Sequence, residues 1–193
     1  SGMLSGNNLR TDFWKNRGIN LALHPFLHGG WIHLLGNLYF FGMLGDDIEE
    51  EAGTLQFLAL IVVPPLAAAA VWALTGHERQ IPHVGISGVV MAFMAYYAVR
   101  FPKSKMAYAV PALHHFNFAK GGHGWLRGFR WLRLSVGWVF LGYLIFNLIG
   151  FHFLEKKQLS YVSFSGHLVG ALVGLIFGLD AEAREKRAVT RLN

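Results

Sequence analysis

The chain is organised around the stretch GISGVVMAFMAYY, residues 85–97. Ser87 stands between Gly85 and Gly88, at the start of an apolar run that mixes small and large residues. In a membrane helix such glycines often permit close helix contact, and such a serine often bonds to its own backbone. Taken alone, the stretch favours a packing role, so a chemical role for Ser87 requires partners from elsewhere in the chain.

The composition indicates an integral membrane protein. Apolar residues make up 53% of the 193 positions and charged residues only 15%, and the charges cluster between long apolar stretches. The absence of cysteine excludes disulfides, thiolate metal sites and a cysteine nucleophile. The net charge of +6 comes from Lys and Arg beside apolar segments. Basic residues at such positions are typical of loops that stay on the cytoplasmic side of a membrane, so we do not expect nucleic acid as a partner.

Five apolar segments predict an all-α membrane protein, a polytopic helix bundle. They are residues 31–44 (or from about 24), 54–74, 84–101, 134–154 and 161–179. Pro64 and Pro65 are expected to kink the second segment. Residues 1–23 form a polar N-terminal segment, residues 24–179 the transmembrane domain and residues 180–193 a charged, helical tail.

The distribution of Lys and Arg predicts the orientation of the bundle. The link at 100–133, which we interpret as a long polar connection, holds seven of the seventeen bases, and the tail holds four. Both are therefore expected in the cytoplasm. Because the spans alternate in direction, Ser87 then lies near the outer end of its span.

Three further polar side chains are predicted at the depth of Ser87. His167 lies about six residues into the last span, and His33 and Asn37 share one face near the outer end of the first. Buried polar groups are costly unless they meet each other. A hydroxyl, an imidazole and hydrogen-bond donors are the parts of an acyl-transfer site.

These groups suggest distinct roles in acyl transfer. Ser87 would attack a carbonyl and His167 would act as general base and acid. Asn37, His33 and the Ser87 backbone N–H would bind the oxyanion. No carboxylate is evidently available to orient His167, so we predict a Ser-His dyad whose imidazole is oriented by packing or by a backbone carbonyl.

A stripe of small residues explains how two of these spans could approach. Gly166, Gly170 and Gly174 repeat every four residues on the last span. Gly88, Ala92 and Ala95 form a thinner counterpart on the serine-bearing span. Small residues at this spacing let helix backbones come close.

Three stretches of the chain resemble the rhomboid family of intramembrane serine proteases. They are HGGWIHLLGN at 28–37, GISG at 85–88 and GHLVGALVG at 166–174. The resemblance covers roughly residues 25–178, and it implies a six-helix bundle that hydrolyses peptide bonds in or near transmembrane segments. It also implies Ser87 as nucleophile, His167 as base, His33 and Asn37 as oxyanion donors and His28 as a structural residue.

The chain also differs from the family pattern. Residues 1–23 hold no counterpart of the first family helix, so five spans are expected instead of six. Met91, four residues after Ser87, stands where an aromatic residue often stacks on the catalytic imidazole, although methionine can also pack against a ring. Glu49 and Gly53 resemble the turn that closes the second family helix, which implies a capping role.

Other functions remain open at this point. His114, His115 and His123 could suggest a metal site, but no carboxylate lies near them and no His-Glu-x-x-His signature occurs, so we expect no metal and no cofactor. A catalytically silent relative would bind transmembrane segments without cutting them. A small transporter would show inverted repeats, which the sequence lacks.

The resemblance also implies the partners and the location. We expect transmembrane protein substrates and membrane lipid as partners, and a bacterial inner (plasma) membrane with the active site towards the extracytoplasmic side. The sequence does not specify the oligomeric state.

Overall fold

The computed structural model describes residues 31–74, 86–111, 129–155 and 163–192. Within these residues the chain forms α1 (Trp31–Ala52), α2 (Thr54–Leu74), α3 (Ser87–Arg100), β1 (Lys105–Pro111), β2 (Phe129–Ser135), α4 (Val136–Gly150), a π-helix (Phe151–Glu155) and α5 (Phe164–Leu192). His28, Gly85 and the histidines at 114, 115 and 123 lie outside the described residues, as does the segment 1–23.

The serine-bearing helix α3 forms the centre of the bundle. Its residues from Val89 to Tyr97 are all buried, and the other four α-helices pack against it. Its 14 residues span only about 21 Å, whereas the hydrocarbon core of a bilayer is about 30 Å thick. Because α3 is enclosed by other helices, it does not need to cross the lipid by itself.

Each of the five predicted apolar segments overlaps one of the five α-helices of the described residues, and α1 and α5 continue past the predicted ends. The predicted helical bundle is thereby confirmed. In the described part of the chain, three helices are long and apolar enough to cross a membrane, over Thr54–Val71, Val136–Glu155 and Phe164–Arg191. Of the other two, α1 ends in an acidic block and α3 is short.

Glycine makes the turn between α1 and α2. Gly53 has a φ of 79°, in the left-handed region that favours glycine, and its N–H donates to the Glu49 carbonyl at 2.9 Å. Thr54 Oγ1 donates to the Glu49 carboxylate at 3.1 Å. Beyond this turn, α2 continues as one helix through Pro64 and Pro65.

A β-hairpin occupies part of the link that we expected to be a polar connection. Strands β1 and β2 pair antiparallel, from Lys105 opposite Ser135 to Pro111 opposite Phe129. Leu134 and Ser135 belong to β2, so the fourth helix begins at Val136, two residues later than predicted. The hairpin is an addition to the predicted helix bundle, and the link is not simply a polar connection, because aromatic and branched residues between the basic ones favour strands.

The last helix continues through the predicted boundary of the charged tail. α5 runs without a break from Phe164 to Leu192, past residue 180. Ion pairs one turn apart, Asp180–Arg184 at 2.6 Å and Glu182–Lys186 at 2.7 Å, accompany its charged part.

Ion pairs connect α1, α3 and α5 at the end of α3 opposite to Ser87. Arg100 donates through Nε to Glu51 at 2.7 Å and through Nη2 to Glu185 at 2.7 Å. Its side chain is only 12% exposed. These bonds fix the C-terminal ends of α1 and α3 beside each other.

Candidate active site

Ser87 is the first residue of α3, and its side chain meets His167 of α5. The Ser87 Oγ and His167 Nε2 atoms are 2.6 Å apart, which is hydrogen-bond distance. Ser87 is 9% exposed and His167 is half-buried. Because Ser87 begins the helix, its backbone N–H has no acceptor within α3. The structure therefore places a hydroxyl, an imidazole and an N–H that has no acceptor within α3 together.

The imidazole of His167 has a second partner, Asn147 of α4. The His167 Nδ1 and Asn147 Oδ1 atoms are 2.6 Å apart, and Asn147 is 1% exposed. Asn147 Nδ2 donates to the backbone carbonyl of Tyr143 at 2.8 Å. From the sequence we expected packing or a backbone carbonyl to orient His167, but a side-chain amide makes this contact.

The sequence contains a signal for Asn147 that our prediction did not use. In α4, whose sequence is VGWVFLGYLIFNLIG, it is the only residue with an amide or charged side chain. A polar residue inside a membrane segment is costly unless it is paired, so it often marks a site. Asn147 also lies seven residues before Leu154, about two turns below the predicted outer end, which is the depth predicted for Ser87.

Met91 lies against the same amide. Met91 is buried one turn after Ser87, and its sulfur is 4.0 Å from Asn147 Nδ2. The residue that the family resemblance assigns to an aromatic position therefore contacts the group that holds the imidazole.

Two caps hold the first turn of α5, which carries His167. Ser163 Oγ accepts the N–H of Gly166 at 3.1 Å. Glu155, which is 4% exposed, accepts the Ser165 N–H at 2.6 Å and the Ser165 hydroxyl at 2.5 Å. A carboxylate is favourable there, because the free N–H groups at a helix N-terminus attract negative charge.

Aromatic packing supports the imidazole from the side. The Phe164 ring lies edge-on to the His167 ring, with centroids 6.4 Å apart, and also contacts Phe146 at 5.9 Å. A Cβ at Gly150 would overlap the Phe164 ring. Glycine at position 150 therefore makes room for the ring that contacts His167.

Glycines bring the backbones of α3 and α5 into contact beside the serine–histidine pair. A Cβ at Gly170 would overlap the carbonyl of Gly88, and one at Gly174 would overlap that of Ala92. A Cβ at Gly88 would lie 3.4 Å from the Gly166 carbonyl oxygen. The small-residue stripe identified in the sequence is thus the line along which α3 and α5 touch.

The packing of α1 on α3 places Asn37 near the level of Ser87. Phe41 of α1 stacks on Phe93 of α3, with centroids 5.1 Å apart, and the C-terminal ends of both helices meet at Arg100. The two helices therefore run in the same direction. Asn37 precedes Phe41 by four residues, about 6 Å, and Ser87 precedes Phe93 by six, about 9 Å.

Asn37 also has an unused hydrogen-bond donor. It is 7% exposed, and its Nδ2 atom is buried with no hydrogen-bond partner in the described part of the chain. His33, one turn earlier on α1, is half-buried. A free amide donor at this level suits a site where negative charge develops during a reaction.

His28 and Gly85, which we predicted near the site, lie outside the described residues. Among the residues that the structure describes, no group of three or more His, Asp or Glu side chains is arranged to hold a metal ion.

Comparison with known proteins gives a consistent result. Residues 13–181 match the Rhomboid domain family. The chain is 32% identical over 69 residues to RHOMBOID-like protein 5 of Arabidopsis thaliana, covering 36% of this chain and 22% of that protein. It is 30% identical over 97 residues to Rhomboid protease GlpG of Yersinia pseudotuberculosis serotype I, and 32% identical over 97 residues to Rhomboid protease GlpG of Pectobacterium atrosepticum.

The two bacterial matches each cover 45% of this chain and 34% of the relative. The chain therefore spans between about a fifth and a third of the length of these relatives. The family match, in contrast, extends over most of the chain, from before α1 into the charged part of α5. Together with the apolar helices, it shows that the chain is an integral membrane protein that belongs to the rhomboid family.

Proposed function

We propose that the protein is an intramembrane serine endopeptidase that cleaves peptide bonds in or near transmembrane segments of other membrane proteins. The observation that carries this proposal is the 2.6 Å contact between Ser87 Oγ and His167 Nε2 in a largely buried site. A serine hydroxyl at this distance from an imidazole nitrogen is the arrangement that activates a serine nucleophile. Membership of the rhomboid family supports the same reaction.

The reaction has two stages. Ser87 Oγ attacks the scissile carbonyl carbon while His167 Nε2 takes the hydroxyl proton, and the proton then passes to the leaving amine as the C–N bond breaks. Water attacks the resulting ester in the second stage, again giving a proton to His167, and Ser87 recovers its proton when the acid product leaves. The histidine must be neutral at the start of each stage.

The oxyanion formed in both stages needs hydrogen-bond donors. We assign this role to Asn37 Nδ2, His33 and the backbone N–H of Ser87. The Nδ2 atom of Asn37 supports the assignment, because it is buried near the level of Ser87 and has no hydrogen-bond partner among the described residues. The N–H at the start of α3 adds to it, because a helix N-terminus carries partial positive charge.

The proposed substrates and location follow from the membrane setting. Substrates would be membrane proteins that present a peptide bond at the depth of Ser87, within the outer half of the bilayer. The basic residues at the opposite end of the chain's helices support an active site on the extracytoplasmic side of a bacterial inner (plasma) membrane. No cofactor is needed for this chemistry.

The proposal is tested with purified protein in lipid vesicles that also contain a labelled single-span membrane protein. We expect the wild-type protein to cleave the substrate and to react with a fluorophosphonate, and Ser87→Ala to do neither. Ser135→Ala is the matched control, because the Ser135 side chain makes no capping bond to α4. Cleavage or labelling by Ser87→Ala equal to wild type would refute the nucleophile assignment. Wild-type protein that binds the substrate without cutting it would instead support a catalytically silent relative.

A further inference from the structure

We infer that Asn147 is a positioning residue that fixes the tautomer and the ring orientation of His167. The inference rests on the proposed function, since it concerns the base of the same reaction. Asn147 bonds to Nδ1, and Ser87 lies at Nε2, so the amide contacts the side of the ring away from the reacting hydroxyl. It therefore acts through His167 and not on the substrate.

The hydrogen bonds around Asn147 determine where the protons lie. The Tyr143 carbonyl oxygen can only accept, so the atom of the amide that faces it must be the nitrogen. The amide oxygen then faces His167 Nδ1. Because this oxygen also can only accept, Nδ1 must carry the proton.

This assignment leaves the other ring nitrogen ready for catalysis. In a neutral imidazole with the proton on Nδ1, Nε2 has a free lone pair. That lone pair faces the Ser87 hydroxyl at 2.6 Å and can accept its proton. Without Asn147 both tautomers are accessible, and the one with the proton on Nε2 cannot serve as the base.

The surroundings of Asn147 explain why an amide suits this role. Asn147 is 1% exposed, in an otherwise apolar helix, where a carboxylate would carry a large desolvation cost. An amide is neutral, and here both of its polar atoms are paired. The Met91 sulfur lies 4.0 Å from the amide nitrogen and packs against the amide.

The position of Asn147 also connects three helices through the reacting groups. It extends from α4 to His167 of α5, which in turn meets Ser87 of α3. A shift of α4 relative to α5 would therefore change the orientation of the base as well as the packing. This makes the Asn147 bond a determinant of rate, separate from substrate binding.

The first test compares Asn147→Leu and Asn147→Asp with wild type in the vesicle assay. Leucine keeps a similar volume without an acceptor, so we expect the rate of fluorophosphonate labelling and kcat to fall roughly 10- to 100-fold, with KM changed less than about twofold. Aspartate restores an acceptor for Nδ1–H but places its second oxygen against the Tyr143 carbonyl in place of the amide nitrogen, so we expect it to recover only part of the rate. Because a carboxylate also stabilises the imidazolium, the acid limb of the pH–rate profile should move to higher pH.

A merely structural Asn147 would give a different pattern. Leucine and aspartate would then lower thermal stability and rate together, without moving the pH profile. Wild-type kinetics in Asn147→Leu would overturn the inference while leaving the proposed function intact. Failure of the wild-type protein itself to label or cleave would refute the proposed function instead.

A second measurement depends neither on the folding of the Asn147 variants nor on activity. The ¹⁵N shifts of the imidazole nitrogens of His167, assigned by comparison with His167→Ala, report which nitrogen carries the proton in wild-type protein at neutral pH. We expect a single tautomer with the proton on Nδ1. A dominant tautomer with the proton on Nε2 would overturn the inference.

Discussion

Replacing Gly170 by alanine should separate the serine from the histidine without touching either. A Cβ at Gly170 would lie 2.8 Å from the carbonyl carbon of Gly88, and closer still to its oxygen, whereas ordinary contact begins at 3.4 Å. The contact is with backbone, which cannot rotate away. α5 must therefore move away from α3 by about an ångström, since core overpacking is relieved by such backbone shifts.

The expected loss of activity follows from the geometry of the site. Gly170 lies one turn after His167, and Gly88 is adjacent to Ser87, so the displacement acts directly on their 2.6 Å contact. A misplacement of about 1 Å costs roughly a hundredfold in rate. The free energy of unfolding should fall by about 1–3 kcal/mol, the usual cost of overpacking.

The assay compares Gly170→Ala with Gly142→Ala. A Cβ at Gly142 would have no atom within 4 Å, so this variant controls for the added methyl group and for helix propensity. We would measure fluorophosphonate labelling rates and thermal unfolding of both proteins in the same vesicles. Gly142→Ala should match wild type in labelling. Equal labelling rates for the two variants would refute the reasoning, because they would show that the backbone contact does not position the base.

Four further predictions concern other groups. His167→Ala should lose nearly as much rate as Ser87→Ala in the cleavage assay, because the two act as a unit, and a much smaller loss would contradict that pairing. Cleavage by the wild-type protein should also fall as the His167 imidazole becomes protonated, so a rate that rises steadily below about pH 6 would argue against a neutral base. Asn37→Ala should lower kcat roughly a hundredfold or somewhat more, and an unchanged kcat would remove its amide from the oxyanion site. Arg100→Met should lower the free energy of unfolding by about 2–3 kcal/mol, because the largely buried Glu51 loses its positively charged partner and, among the described residues, keeps only the Tyr96 hydroxyl as a donor; the double variant with Glu51→Gln should recover part of that loss in thermal unfolding.

Counting residues along the spans predicted that some of these groups lie at one level. The depth of Ser87 and His167 follows from their distance to the span ends, and the glycines at 88 and 170 indicated that their helices touch. The structure brings the two side chains to hydrogen-bond distance. Depth and small-residue spacing are local properties of a sequence. They are the basis for predicting that Ser87 and His167 lie at one level on helices that touch.

Two features depend on more than local sequence. The depth of Asn147 can be predicted by counting residues along α4. Its contact with the His167 imidazole cannot, because that contact depends on the rotation of α4 about its own axis. The hairpin depends on pairing between Lys105–Pro111 and Phe129–Ser135, which are well separated in the chain. The sequence of either strand by itself is also compatible with a polar link. In both cases the missing information is the relative placement of two elements.

The short length of α3 links the depth of the proposed site to its chemistry. A helix that crossed the whole bilayer would carry a serine at this depth in its interior, where every backbone N–H is already bonded. Because α3 begins at Ser87, the serine is both below the predicted outer surface and at a helix N-terminus, where its N–H has no acceptor within α3. The cost of a helix end within the membrane is lowered by the four helices around it. Enclosure by the bundle thus permits a buried helix start, and that start presents the Ser87 N–H that we propose as an oxyanion donor.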